Sequence, residues 1–300
     1  MLWPSKKDHV EFSVLDLAEE CSVSVIIRSY NEEKYIGECL SALRAQKFEY
    51  PVEIIVVDSG STDTTCQIAI NSECNLVNIP KQLFTYGYAL NIGAAQANGN
   101  ILVALSAHCI PKTNNWLDCL VRPIIEKRAD LTFGSHSADP NARSSEFNFF
   151  SRKYCEAISR NNCANYFNNG NSAFTKKHWL ERGFDSDLSA QEDIDFAKFH
   201  TSRGALIEYA SAAAVIHYHN FSNKLLYNRI VLDTEANFRL GSQSLLLLIR
   251  DLSMIPVWMI KDAYLAWLRG RLFSAVPGIF CFRMIEAFAS VVGCLKSMSV

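Results

Sequence analysis

Four short apolar runs, each closing in a polar cluster, set the pattern of the first hundred residues. SVSVIIR at 22–28 is a β-branched run that gives way to the turn SYNEE. EIIVVD at 53–58 is a second apolar strand ending in SGSTD, NLVNIP is a short third, and ILVALS is a fourth that ends in Ser106 and, two residues on, His108. Between them, KYIGECLSALRAQ repeats Ile36, Leu40 and Leu43 at helical spacing. TTCQIAIN reads as a helix with Thr62 or Asp63 as its cap, and ALNIGAAQAN as a helix closed at Gly99. Strands that are apolar on both faces and separated by helices predict a parallel sheet covered on both sides. In such sheets ligands bind beyond the carboxyl ends of the strands. SYNEE, SGSTD and SAH all fall at such ends, which predicts one site.

The pattern changes near residue 221 to long helical stretches, with Pro256 and Pro277 as breaks. Charges interrupt this apolar tail. Its longest charge-free stretch, 272–282, falls short of the ~20 residues that a spanning helix needs. Between 240 and 300, Arg250, Lys261, Arg269, Arg271, Arg283 and Lys296 outnumber Asp251, Asp262 and Glu286. With Trp258 or Trp267 beside them, they suit helices lying on an anionic membrane surface. A helical cap on the main domain, or a dimer interface, accounts for the same pattern. The expected organisation is a lead-in at 1–21, an α/β domain at 22–220 and a helical region at 221–300.

Composition narrows the partners. A formal charge of -2 and no long basic run give no electrostatic case for nucleic acid. Ten cysteines without a CxxC pair, several of them in apolar stretches (Cys39, Cys66, Cys109), read as buried thiols of a reducing compartment. The opening MLWPSKKDHVEF lacks the apolar core of a signal peptide, so a cytoplasmic location is expected, at the inner membrane face if the tail binds lipid.

The candidate chemistry lies at the strand tips. Asp58 ends the second strand and faces the predicted crevice, where a carboxylate accepts hydrogen bonds from a base edge or a ribose hydroxyl. No GxGxxG follows the first strand, and no Walker lysine loop is present. Taken alone, His108 reads as a partly buried histidine with a backbone partner. The acidic group Asp185, Asp187, Glu192, Asp193 and Asp195 reads as a solvated helix start favoured by the helix dipole. His217 and His219 share one face of a strand, without a cysteine partner in that stretch.

Taken together, VSVIIRSYNEEKYIGECLSAL, EIIVVDSGSTDTT, FTYGYALNIGAAQANGNILVALSAHCIP and QEDIDF resemble the family 2 glycosyltransferases of the GT-A fold, over about residues 22–220. The resemblance implies an α/β fold, a mostly parallel twisted sheet flanked by helices, here with a C-terminal helical extension. It implies transfer of a sugar from a nucleoside-diphosphate donor with inversion at the anomeric carbon. Tyr30, Glu32 and Asp58 then match base and ribose contacts, with Arg28 reaching the same pocket. Tyr86-Gly87 and Asn91-Gly93 match the segment that closes over the donor. Ser106-Ala107-His108 stands where the family usually has Asp-x-Asp. Ser106 still bonds ribose but is a poor ligand. A neutral His108 favours Mn²⁺ over Mg²⁺, while a protonated one stabilises the leaving group without metal.

The resemblance assigns the general base to Asp193, with Glu192 as its neighbour or an acceptor contact, since inversion by single displacement needs one carboxylate to take the acceptor's proton. It places Asn169, Asn171 and Ser172 on the acceptor side and His217 as a second metal ligand. The processive polymerases of the family carry a Gln-x-x-Arg-Trp motif and spanning helices, and the sequence reads as having neither, so one addition per encounter is expected, onto a lipid-linked or envelope saccharide. Two rivals stand beside this reading. One is a sugar-nucleotide-binding protein without catalysis, suggested by Ser106 in place of an acid. The other is a nucleotidyltransferase, which shares the α/β layout.

Overall fold

The computed structural model describes residues 21–139, 142–148, 167–218 and 222–298. Most of the expected lead-in, His219 and the expected domain boundary at 220–221 lie outside these residues. β1 (Val23–Ser29) is central to the first half because both its faces are apolar. Val25 and Ile27 bury on one side, Ile26 on the other. It pairs in parallel with β2 (Val52–Asp58) and β4 (Ile101–Ser106), and β3 (Asn75–Asn78) extends the sheet beyond β2. α1 (Ile36–Arg44) sets Ile36, Leu40 and Leu43 against Val25 and Ile27. α2 (Thr65–Asn71) adds Ala69 to that face. α3 (Tyr86–Gln96) covers the other with Ala89, Leu90 and Ala94. It approaches closely because residue 93 is glycine, where a Cβ would stand 2.4 Å from Ile26 Cγ2.

β4 leads through two residues, Ala107 and His108, into β5 (Cys109–Pro111), which lies at the far edge of the same sheet. α4 (Trp116–Ile125), β6 (Leu131–Ala138), β7 (Asn171–Thr175), α5 (Lys176–Glu181), α6 (Glu192–Thr201) and β8 (Ile207–His217) complete the α/β part. The strand order is β3-β2-β1-β4-β7-β6-β8-β5. The parallel arrangement expected from the sequence holds for β3-β2-β1-β4 and for β6-β8, whereas β4-β7, β7-β6 and β8-β5 are antiparallel. Parallel neighbours need a crossover of a dozen or more residues. The two-residue link after β4 supplies none, so β5 does not pair with β4 but joins β8 at the far edge, and the sheet curls to bring that edge back to the end of β4.

α7 (Asn223–Arg239), α8 (Leu245–Ser253), α9 (Ile255–Leu268) and α10 (Leu272–Ser297) form the helical region. Pro256 opens α9 as expected of a break. Pro277 does not break α10, which runs for 26 residues and is long and apolar enough, by length and composition, to cross a membrane. The short stretch expected at 272–282 is thereby corrected. The charges that seemed to interrupt it are turned inward: Arg283 reaches both oxygens of Asp262 at 2.8 and 2.9 Å and Glu286 at 2.5 Å. α10 lies against α7, where a Cβ on Gly293 would stand 2.7 Å from the Val231 carbonyl. Its outer side exposes Phe273, Val276, Phe280, Met284, Phe288, Val291 and Leu295 at spacings of three and four.

Candidate active site

Strand register brings the first tips together. Ser29 lies opposite Asp58, and Arg28 opposite both Val57 and Ser106. The loops beyond β1 and β2 are then knit into one rim. Asn31, in the left-handed region at φ 52, donates its N–H to Ser61 Oγ at 2.8 Å and accepts from Thr62 N–H at 2.8 Å. Glu33 accepts from Thr64, and its N–H donates to Asp63. Tyr30 stands on this rim, partly exposed, with the Lys81 ammonium over its ring and bonded to its hydroxyl.

Asp58 is buried and has a different employment from the one its position suggests. One oxygen accepts from the N–H groups of Gly60 and Ser61, the other from the hydroxyls of Ser29 and Ser61. A carboxylate offers about four acceptor positions, and here they hold the loop in shape. Asn91 is likewise spent inside the chain. Its amide donates to Phe184 O and Ser186 Oγ and accepts from Trp179 Nε1 and Phe184 N–H. Gly87 packs with no room for a side chain, since a Cβ would stand 2.4 Å from Asp185 O. Both residues fix the 184–186 loop against α3.

His108 sits at the curl of the sheet, and its Nδ1 lies 2.6 Å from Glu32 Oε1. Its ring stacks on His217 with centroids 5.0 Å apart. Ser106, at the end of β4, is half-buried.

The second half of the site is built on Arg28. Its Nη1 bonds Glu192 at 3.1 Å, its Nη2 bonds the Asn169 carbonyl at 3.3 Å, and its guanidinium lies over the Tyr86 ring. Arg28 Nε is buried without a hydrogen-bond partner. Asn169, fully buried, donates its N–H to Asp193 Oδ2 at 3.3 Å and accepts from Ser172. The acid pair opens α6, directly after Gln191, which is held in the left-handed region at φ 65. A non-glycine residue there stores backbone strain of a kind found at functional sites.

The two acids differ. Glu192 is 4% exposed and locked onto Arg28, whereas Asp193 is only half-buried. Burial, and then the neighbouring Asp193 charge, push the Glu192 carboxyl up to about 7, against the pull of Arg28. Asn171 does not join the site. It is buried, donates to the carbonyls of Ser135 and Ala213, and accepts from Trp116 Nε1, which stitches β7 to its neighbours.

Two contributors carry no signal in the sequence. Arg229, from α7, donates to the Tyr86 hydroxyl at 2.9 Å and lies over the same ring as Arg28. His136, from β6, meets His217 with the two Nδ1 atoms 3.0 Å apart.

The raised Glu192 has a consequence for stability. The unfolded chain releases this proton near 4.5, as an ordinary glutamate does, while the folded chain holds it to about 7. Across that window the folded state binds more protons, so the contribution of Glu192 falls as pH rises, by roughly 3 kcal/mol at most. Melting curves of wild type and Glu192→Gln between pH 4.5 and 7.5 should therefore show the wild type losing ground to the variant with rising pH. A constant difference would contradict the raised carboxyl.

The glycosyl transferase family 2 model matches residues 24–180. Glycosyltransferase AglE of Haloferax volcanii is 31% identical over 200 residues, 63% of this chain and 64% of AglE, so the match spans a little under two thirds of that relative. The O-antigen chain rhamnosyltransferase RfbN of Salmonella typhimurium is 24% identical over 219 residues, 69% of each chain. Among solved structures, the mannosyltransferase PcManGT from Pyrobaculum calidifontis, in complex with GDP-Man and Mn²⁺, superposes with a TM-score of 0.63 at 17% identity, over 92% of this chain and 86% of the other. That likeness is one of fold.

Proposed function

The chain belongs to glycosyl transferase family 2, and from that premise we propose that it is an inverting, non-processive transferase moving a sugar from a nucleoside-diphosphate donor to a lipid-linked or envelope saccharide. The observation that carries this reading is the Arg28 bridge. Arg28 lies beside Ser106 on the β1–β4 tips and holds Glu192 next to Asp193, so donor edge and acid pair share one crevice. Tyr30, Glu32 and the loop held by Asp58 form the nucleotide side. Asp193, at the start of α6, is the base that takes the proton of the attacking hydroxyl. Asn169 donates its N–H to the Asp193 carboxylate, and Glu192 and the Asn169 carbonyl hold the Arg28 guanidinium in place.

PcManGT is described with Mn²⁺, and we carry a divalent cation over to this chain. His217, with His108 and the Glu32 carboxylate beside it, marks where it would sit, and nitrogen donors there suit Mn²⁺ better than Mg²⁺. When bound, such an ion neutralises the departing diphosphate. The phosphorus product separates this reading from its rivals: nucleoside diphosphate for sugar transfer, pyrophosphate for nucleotidyl transfer, neither for a binding protein.

The acceptor reading draws on the names of relatives, an O-antigen chain rhamnosyltransferase among them. A cleft of about 600 Å³ between β5, β6, β8 and the helical region also suits it, since Lys112, Arg269 and Arg271 line it together with Phe147 and Ile216. Cations beside apolar side chains fit the phosphate and first carbons of a lipid carrier. The apolar stripe along α10 then lies on the membrane surface, and the inward Arg283 side stays packed on the protein. Flotation with anionic vesicles should recover the full chain. A chain with Phe273, Phe280 and Phe288 changed to Ser should stay at the bottom of the gradient, and equal recovery of the two would remove the membrane from the account.

A further inference from the structure

Behind the His108 tip, three strands bring a thiol and two imidazoles to one place. Cys109 on β5 lies opposite His217 on β8, and Ala138 on β6 lies opposite His217 from the other side. Side chains alternate across a sheet, so Cys109 and His217 share a face, and His136, two residues before Ala138, shares it too. One ligand atom from each of Cys109, His136 and His217 lies within 4.8 Å of the others. Cys109 is fully buried and His136 nearly so. The backbone closes over them at Gly170, where a Cβ would stand 3.0 Å from His136 Cε1 and 3.6 Å from Cys109 Sγ.

We infer that Cys109, His136 and His217 form a transition-metal centre of zinc type. Two imidazole nitrogens on one tetrahedral zinc, each at ~2.0–2.1 Å, stand about 3.4 Å apart. The His136 and His217 Nδ1 atoms are 3.0 Å apart and need open by only a few tenths of an ångström. A thiolate with two imidazoles selects zinc, cobalt or copper, whereas Mg²⁺ and Ca²⁺ demand oxygen. On binding, the Cys109 thiol proton leaves to solvent, and the proton held between the two rings moves to the outer nitrogen of its own ring. A plain histidine–histidine hydrogen bond accounts for the 3.0 Å contact, but not for a thiol on the same face or a glycine shaped to both. The His108 ring stacks on His217, so the centre lies next to the diphosphate side of the proposed donor site and seats the cation deeper than an Asp-x-Asp pair would. The inference deepens the metal part of the proposed function, yet it stands on strand register and ligand chemistry and does not require sugar transfer.

The test uses the full chain, stripped with chelator and titrated with Co²⁺ without oxygen. One equivalent should bind, with a sulfur-to-cobalt charge-transfer band in the near ultraviolet and visible bands of a tetrahedral ion. Zn²⁺ should displace it and Mg²⁺ should not. Cys109→Ser should abolish the charge-transfer band. Gly170→Ala, which crowds the ligands, should weaken binding by ~10–100-fold, His136→Gln, which removes a ligand, should weaken it at least as much, and His108→Ala should keep the band. Circular dichroism reports whether each variant is folded, and if Cys109→Ser is not, His136→Gln decides. Absence of the band in the wild type, an unchanged spectrum in Cys109→Ser or His136→Gln, or loss of the band only in His108→Ala overturns the inference. Release of nucleoside diphosphate from a sugar nucleotide is read in a separate assay, so failure of the transferase reading leaves a different trace.

Discussion

Asp193→Asn should lower sugar transfer by ~10²–10⁴-fold, the range for removal of a general base, and leave donor binding nearly unchanged. The asymmetry within the acid pair dictates the choice of residue. Glu192 is buried on Arg28 and holds its proton to about 7, so near neutrality it is a positioning group and a poor free acceptor of a proton. Asp193 is half-buried at the helix start, the less enclosed of the two carboxylates. Asparagine keeps one oxygen for the N–H of Asn169 and loses, with the basicity, the second oxygen that accepts from Ile194 N–H. Turnover and donor affinity measured on the same preparation check this. A variant with full turnover would move the base elsewhere, and one that no longer binds donor would show that Asp193 shapes the pocket.

The second large effect is on stability. Arg283 is 1% exposed and joins Asp262, which is fully buried, to Glu286. Arg283→Ala leaves two carboxylates buried without their cation, which costs ~3–5 kcal/mol. It should lower the melting temperature by on the order of 10 °C in a chain of this size. Replacing Arg283, Asp262 and Glu286 together by apolar residues of similar volume should restore most of that loss, because the penalty lies in the unpaired charge. Thermal melts of the two variants separate this from a surface salt bridge, whose removal would shift melting by a degree or two at most.

The first half of the fold is legible in the sequence because β1, β2 and β4 are apolar on both faces, which calls for a sheet covered on both sides. Their polar ends mark the rim for the same reason. What sequence does not carry is how a polar side chain is spent. Asp58 and Asn91 look like donor contacts by position, but their acceptors and donors are used up within loops that only the folded chain defines. The mixed half of the sheet is hidden because a two-residue link after β4 gives no hint that the next strand joins the opposite edge. That edge brings Cys109 beside His217, so a cysteine partner absent from the VIHYHN stretch arrives from a neighbouring strand. In α10, Arg283 and Glu286 read as interruptions because a linear pattern cannot tell a charge facing solvent from one paired inward.

The most direct measurement is phosphorus and proton NMR of one reaction, the full chain with a sugar nucleotide and a lipid-phosphate-linked acceptor. It should show nucleoside diphosphate accumulating in step with a glycoside whose anomeric configuration is opposite to that of the donor. Retained configuration, release of pyrophosphate, or an intact donor across all common sugar nucleotides would contradict the account.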